Sequence, residues 1–134
     1  MNRRVFEKTG GLLDEDVLGG CDSLTAYSFI QKVDIFLERY TNYNISSDYF
    51  QRVFNYQLIC KENKFKTSFL NDTVLHNWHG SWESRKYHDR YEIYRKHGYN
   101  PSTDLIRNNE GLISLSKQGE RLENDLKKFF CKSC

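Results

Sequence analysis

Long apolar runs are missing from this chain. None approaches the roughly 20 residues that a membrane-spanning helix requires, which excludes a helical membrane span. Charge of one sign is missing too. Twenty basic and eighteen acidic residues leave a formal net charge of +2, with the signs interspersed. Nucleic-acid binders concentrate basic residues on one face, so no nucleic acid is expected as a partner. Proline occurs once, at Pro101, and no repeat, linker or low-complexity segment divides the 134 residues. One domain over 1–134 is the expectation. The start, Met1-Asn2-Arg3-Arg4, lacks the apolar stretch of a signal peptide, and the chain as it stands reads as cytoplasmic. Cysteine is sparse. Only Cys131 and Cys134 form a close pair, without the second pair that a structural zinc site needs. A zinc site built from His76, His79, His88 and a cysteine is disfavoured for the same reason. Residues 131–134 read as a flexible tail beyond the last helix.

What is present is enough for a core: 38% of the residues are hydrophobic and 15% aromatic, against 28% charged. The densest signal is Phe6-Glu7-Lys8-Thr9-Gly10-Gly11-Leu12-Leu13-Asp14-Glu15-Asp16-Val17-Leu18-Gly19-Gly20-Cys21-Asp22. Its glycines and acids suit a backbone-lined pocket better than a core. Residues Arg3 to Glu7 fit either a strand end or a first helical turn. Asp22-Ser23 predicts the N-cap of a helix running to about Tyr40, with the stripe Ala26, Phe29, Ile30, Val33, Leu37, Tyr40. Its dipole favours an ionised Asp22.

Ser46 or Ser47 caps a second helix through about Cys60, with Phe50, Val53 and Phe54 on its buried side. Lys64 to His76 reads as extended, with a short β-prone run at Thr73-Val74-Leu75. A third helix is predicted from Ser84 to His97, stopped by Gly98 and Pro101. Asn108-Asn109-Glu110-Gly111 reads as the turn of a small hairpin, and a last helix spans about Lys117 to Phe130. The fold class is α/β in the broad sense (α+β, helix-rich).

Three segments together resemble the C-terminal half of a metal-dependent glycosyltransferase of the GT-A fold, similar to family-two-like enzymes and to the galactosyltransferase C-terminal region. The first is Arg4 to Glu15 followed by Leu18-Gly19-Gly20-Cys21-Asp22-Ser23, close to a pattern F-x-x-x-G-G-[FL]-D-E…[LG]-G-x-[ED]-D. The second is Thr73-Val74-Leu75-His76-Asn77-Trp78-His79-Gly80-Ser81. The third runs from Arg85 to Tyr91 and through Gly98-Tyr99-Asn100-Pro101 to Asp104-Leu105.

The resemblance implies an inverting transferase that uses nucleotide-diphosphate sugars. Asp22 matches the general base that takes the acceptor hydroxyl proton, a task for a carboxylate held ionised. Cys21 stands where the family usually has a Glu that binds the acceptor. Asp14, Glu15 and Asp16 match the acidic turn that contacts acceptor hydroxyls, although a solvated acidic turn would look the same. His79 matches a ligand of the divalent cation, Mn2+ in most relatives, and His76 a second one. Trp78 and Trp82 are candidates for stacking on sugar faces or for filling the core.

The family's nucleotide-binding half, with its D-x-D carboxylates, has no counterpart here. The expectation is therefore a partial GT-A fold, the acceptor side of a transferase, inactive unless a donor half is supplied. An apolar face beside Val74 and Leu75 would promote self-association or pairing with such a half. The alternative is a non-catalytic carbohydrate- or protein-binding module, for example an immunity-type interaction protein.

Overall fold

The computed structural model describes residues 3–38, 45–68, 71–73, 75 and 89–131. The chain folds as a helix-rich α+β structure. Its elements in order are α1 (Arg3–Thr9), α2 (Cys21–Phe29), α3 (Val33–Leu37), α4 (Ser47–Glu62), α5 (Asp89–His97), α6 (Pro101–Asp104), β1 (Leu105–Arg107), β2 (Ile113–Leu115), a 3-10 turn Gly119–Leu122 and α7 (Glu123–Cys131). No helix among the described residues is long and apolar enough to cross a membrane.

α4 is the central support, and its sequence explains it. Ser46 caps it by accepting a hydrogen bond from the Tyr49 amide at 3.3 Å. Tyr49, Val53, Tyr56 and Cys60 recur at helical spacing and are all buried. The helix ends where Lys64 turns to a φ of 51°, with the Phe65 amide bonded back to the Cys60 carbonyl. α5 closes in the same manner at Gly98, φ 56°, with the Tyr99 amide bonded to the Tyr94 carbonyl.

The long first helix expected from Ser23 to Tyr40 is broken in two. Gln31 adopts a φ of 60°, and its side-chain amide donates to the carbonyls of Ser28 and Gln57. The Gln57 side chain in turn accepts from the Val33 amide at 3.1 Å. Tertiary hydrogen bonds from α4 thus hold a left-handed residue that helical periodicity does not announce. The expected cap also shifts. Gly20, at φ 115°, is the N-cap residue, and Asp22 lies inside the first turn of α2.

The hairpin forms as expected, with Leu105 opposite Leu115 and Arg107 opposite Ile113. The Asn108 carboxamide oxygen accepts from the Glu110 and Leu112 amides and so shapes the turn. The extended stretch expected from Lys64 to His76 contains no strand among its described residues. Leu75 is 90% exposed, and Val74 lies outside the described residues. Cys131 is the last residue of α7, so the helix continues into the segment read as a tail.

The core is rich in tyrosine. Leu18, Leu24, Val33, Phe36, Val53 and Leu122 pack with Tyr49, Tyr91, Tyr94 and Tyr99. The rings of Tyr94 and Tyr99 stack at 4.3 Å between centroids. A tyrosine core carries hydroxyls inward, and each needs a partner. The partners of Tyr49, Tyr94 and Tyr99 come from the connector between α1 and α2.

Candidate functional site

The connector spans residues 10–20, and its acids have three different fates. Asp14 is exposed and receives Arg107 Nη2 at 2.5 Å. Glu15 receives Arg52 Nη1 of α4, also at 2.5 Å, and its carbonyl accepts the Tyr99 hydroxyl. Asp16 turns inward and is only 4% exposed.

Asp16 sits in a cage of hydroxyls. The Tyr94 hydroxyl donates to Oδ1 at 2.6 Å and the Tyr49 hydroxyl to Oδ2 at 3.3 Å. The Leu18 amide donates to the same Tyr94 oxygen at 3.0 Å. Arg90 approaches from α5, where Nη1 donates to the Leu18 carbonyl at 3.4 Å and the guanidinium lies over the Tyr91 ring. Burial pushes the Asp16 carboxyl up to about 6, against the opposing pull of the Tyr94 bond and the Arg90 charge.

Gly20 is the close-approach residue of this cage. A Cβ there would lie 2.9 Å from Asp16 Oδ2 and 3.0 Å from the Tyr91 hydroxyl, at a φ that side chains rarely adopt.

Past Gly20 the chain enters α2. Cys21 is half-buried, and its thiol donates to the Asp16 carbonyl at 3.4 Å. Burial, then the neighbouring Asp16 charge, push that thiol up to about 11. It is a protonated packing group at neutral pH rather than a nucleophile.

Asp22 points the other way and is exposed. It lines a pocket of about 370 Å³ with Ala26 and Phe29 of α2, Val5 of α1, and Phe65 and Lys66 beyond α4. The rings of Phe29 and Phe65 lie 5.9 Å apart on its wall. Thr67 and Ser68 add hydroxyls to the same lining. With Thr25 of α2, one carboxylate, one ammonium, three hydroxyl side chains and two aromatic faces form a lining suited to a small polyol with an apolar face.

Asp14 and Glu15 line a different pocket, of about 230 Å³, with Arg52, Asn55, Tyr56 and Arg107. The described linings of the two pockets share no residue. The structure therefore separates the sequence candidates: Asp22 at one pocket, Asp14 and Glu15 at another, and Asp16 buried on the wall of a small third cavity with Leu24, Tyr49 and Val53. His76, Trp78, His79 and Trp82 lie outside the described residues. Among the described residues, no group of three His, Cys, Asp or Glu side chains could hold a metal ion.

Sequence reasoning missed the cage itself. Helical spacing marks Tyr91 and Tyr94 as packing residues, which they are, but it does not reveal that a hydroxyl on the buried side meets a carboxylate 78 positions away. It missed Arg90 and Tyr49 for the same reason. No protein-family model, curated protein or solved structure matches the chain.

Proposed function

We propose that this chain is the acceptor-side portion of an inverting sugar transferase, with Asp22 as the group that accepts the proton of the acceptor hydroxyl. The observation that carries this reading is the setting of Asp22. It is an exposed carboxylate in the first turn of a helix, at the rim of a pocket walled by Phe29 and Phe65. The aromatic faces complement the C–H face of a sugar ring.

In the reaction, the acceptor oxygen bonds to the anomeric carbon of the donor as its proton passes to Asp22. The bond from that carbon to the diphosphate breaks, and the electron pair leaves with the diphosphate. Lys66 and the hydroxyls of Thr67 and Ser68 are the polar groups available to orient an acceptor. A divalent cation such as manganese would neutralise the leaving diphosphate. The resemblance assigns it to His79 and His76. The same reading gives the chain a GT-A relationship and a tendency to self-associate.

The test is a saccharide titration of the chain followed by its backbone amide resonances. Galactose, glucose and N-acetylglucosamine serve as separate probes. Saturable shifts at Asp22, Ala26, Phe29 and Lys66 are expected for at least one probe, with loss of saturation in Asp22→Ala. No saturable shift with any probe overturns the acceptor site. Saturable binding at this pocket with no transfer under any donor and metal condition favours the binding-module alternative instead.

A further inference from the structure

Asp16 stands six residues before Asp22, and the segment between them contains Gly19 and Gly20, both at positive φ. Glycines transmit a displacement poorly unless something clamps them. Here the clamp is the cage: Tyr94 and Tyr49 on the carboxylate, Arg90 Nη1 on the Leu18 carbonyl, and the Cys21 thiol on the Asp16 carbonyl. We propose that Asp16 is the positioning residue for Asp22, and that gain or loss of a proton on its caged carboxyl resets the first turn of α2. This inference rests on the reading of Asp22 as the proton acceptor.

The chemistry of the cage explains why one proton matters. Ionised Asp16 is an acceptor only, and both tyrosine hydroxyls donate to it. Protonated Asp16 must itself donate. Tyr94 already accepts from the Leu18 amide and makes the short bond to Oδ1. The proton taken from solvent therefore goes to Oδ2, which has the longer bond to Tyr49. Tyr49 then accepts and turns its own hydrogen elsewhere.

Oδ2 is also the oxygen that a Cβ at Gly20 would meet. A change at Oδ2 is thus made directly against the residue that caps α2.

The charged and titratable neighbours are Tyr49 and Arg52 of α4, Arg90, Tyr91 and Tyr94 of α5, Tyr99 just beyond α5, Cys21 of α2, and Glu15 in the same loop. Burial raises Tyr49, Tyr94 and Tyr99 above the ordinary phenol range, and Cys21 is raised to about 11. Arg52 is paired with Glu15. Asp16 is the group in the cage raised to about 6, so it exchanges its proton in the range a cell can reach.

The experiment is a pH titration by nuclear magnetic resonance, reading the Asp16 side-chain carboxyl and the backbone amides of residues 20–23. It is run on the wild type and on Asp22→Asn, which removes the titration of Asp22 itself. The Asp16 carboxyl is expected to titrate near 6, and the amides of Gly20 and Cys21 to follow it at the same midpoint. Asp16→Asn should abolish that amide titration. Tyr94→Phe removes a donor to the ionised form and should raise the midpoint by about one pH unit. It also covers the case in which Asp16→Asn does not fold.

An ordinary carboxyl midpoint near 4 would overturn the proposal. So would amides that stay flat while Asp16 titrates, or that still titrate in Asp16→Asn. No saccharide is present, so failure here is separate from failure of the acceptor site.

Discussion

Two aspartates are buried in this molecule, and their surroundings differ in kind. Asp104, fully buried at 0% exposure, is gripped by the fork of Arg121, with Nη1 on Oδ1 at 2.5 Å and Nη2 on Oδ2 at 2.8 Å. It also accepts from the Asn100 amide. Asp16 is almost as deep but has hydroxyls where Asp104 has a guanidinium. In the first arrangement the partner is a permanent cation, because arginine does not lose its proton in proteins. The second solvates a carboxylate with neutral dipoles and leaves its ionisation adjustable. The fixed one joins α6 to the turn before α7, a structural junction. The adjustable one lies behind the helix that carries Asp22.

The strongest way to break this comparison is to remove the guanidinium. Arg121→Met leaves Asp104 buried without its counter-charge and should cost about 3–5 kcal/mol in urea unfolding. A loss below about 1 kcal/mol would mean that the fork contributes little beyond an ordinary surface pair.

The Asp16 cage should reveal itself through pH instead. Its folded carboxyl is raised from 3.8 to about 6, so the folded state holds the proton more tightly than the unfolded chain. Stability from this group is therefore full below pH 4 and is lost as pH rises through 6. The wild type should lose on the order of 3 kcal/mol across that window relative to Asp16→Asn. Asp125 works in the opposite sense. Lys96 and His97 hold it down to about 2, so its contribution is present above pH 4 and fades as pH falls towards 2. The two windows do not overlap, and a pH series of unfolding curves separates them.

The paired glycines sharpen the contrast on a smaller scale. A Cβ at Gly119 would lie 2.2 Å from the Asp104 carbonyl oxygen, a backbone atom that cannot swing aside. Gly119→Ala is expected to cost about 2–3 kcal/mol. At Gly20 the obstacles are side-chain oxygens of Asp16 and Tyr91. Gly20→Ala should cost about 1–2 kcal/mol, mostly through its positive φ. Gly20→Ala should also change the Asp16 titration, whereas Gly119→Ala should leave it alone. The smallest expected effect is that of Asp22→Asn, an exposed change worth no more than about 0.5 kcal/mol.

Much of the scaffold was legible because its signals are local. Ser46, the Gly98 stop and the Asn108 turn each act within a few residues. The buried face of α4 was legible only at Val53: Phe50 and Phe54 read as its other members, but Tyr49, Tyr56 and Cys60 turn inward and Phe54 is exposed. The break at Gln31 was not legible, since a left-handed glutamine is held there by Gln57, a residue of another helix. The site was legible in its residues more than in its arrangement. The glycine-acid connector carries the caged Asp16, and Asp22 lines a pocket. Its neighbours Asp14, Glu15 and Asp16 look alike in the chain, yet arginines from β1 and α4 draw two of them to a second pocket, and tyrosines draw the third inside. Those partners come from distant positions, so adjacency in sequence said nothing of their separation in space.

The central claim is best tested by locating a bound saccharide directly, through intermolecular nuclear Overhauser effects between sugar protons and aromatic ring protons. The account predicts contacts from the sugar C–H face to the rings of Phe29 and Phe65, lost in Asp22→Ala. Contacts confined to Tyr56, in the pocket of Asp14 and Arg107, would contradict it.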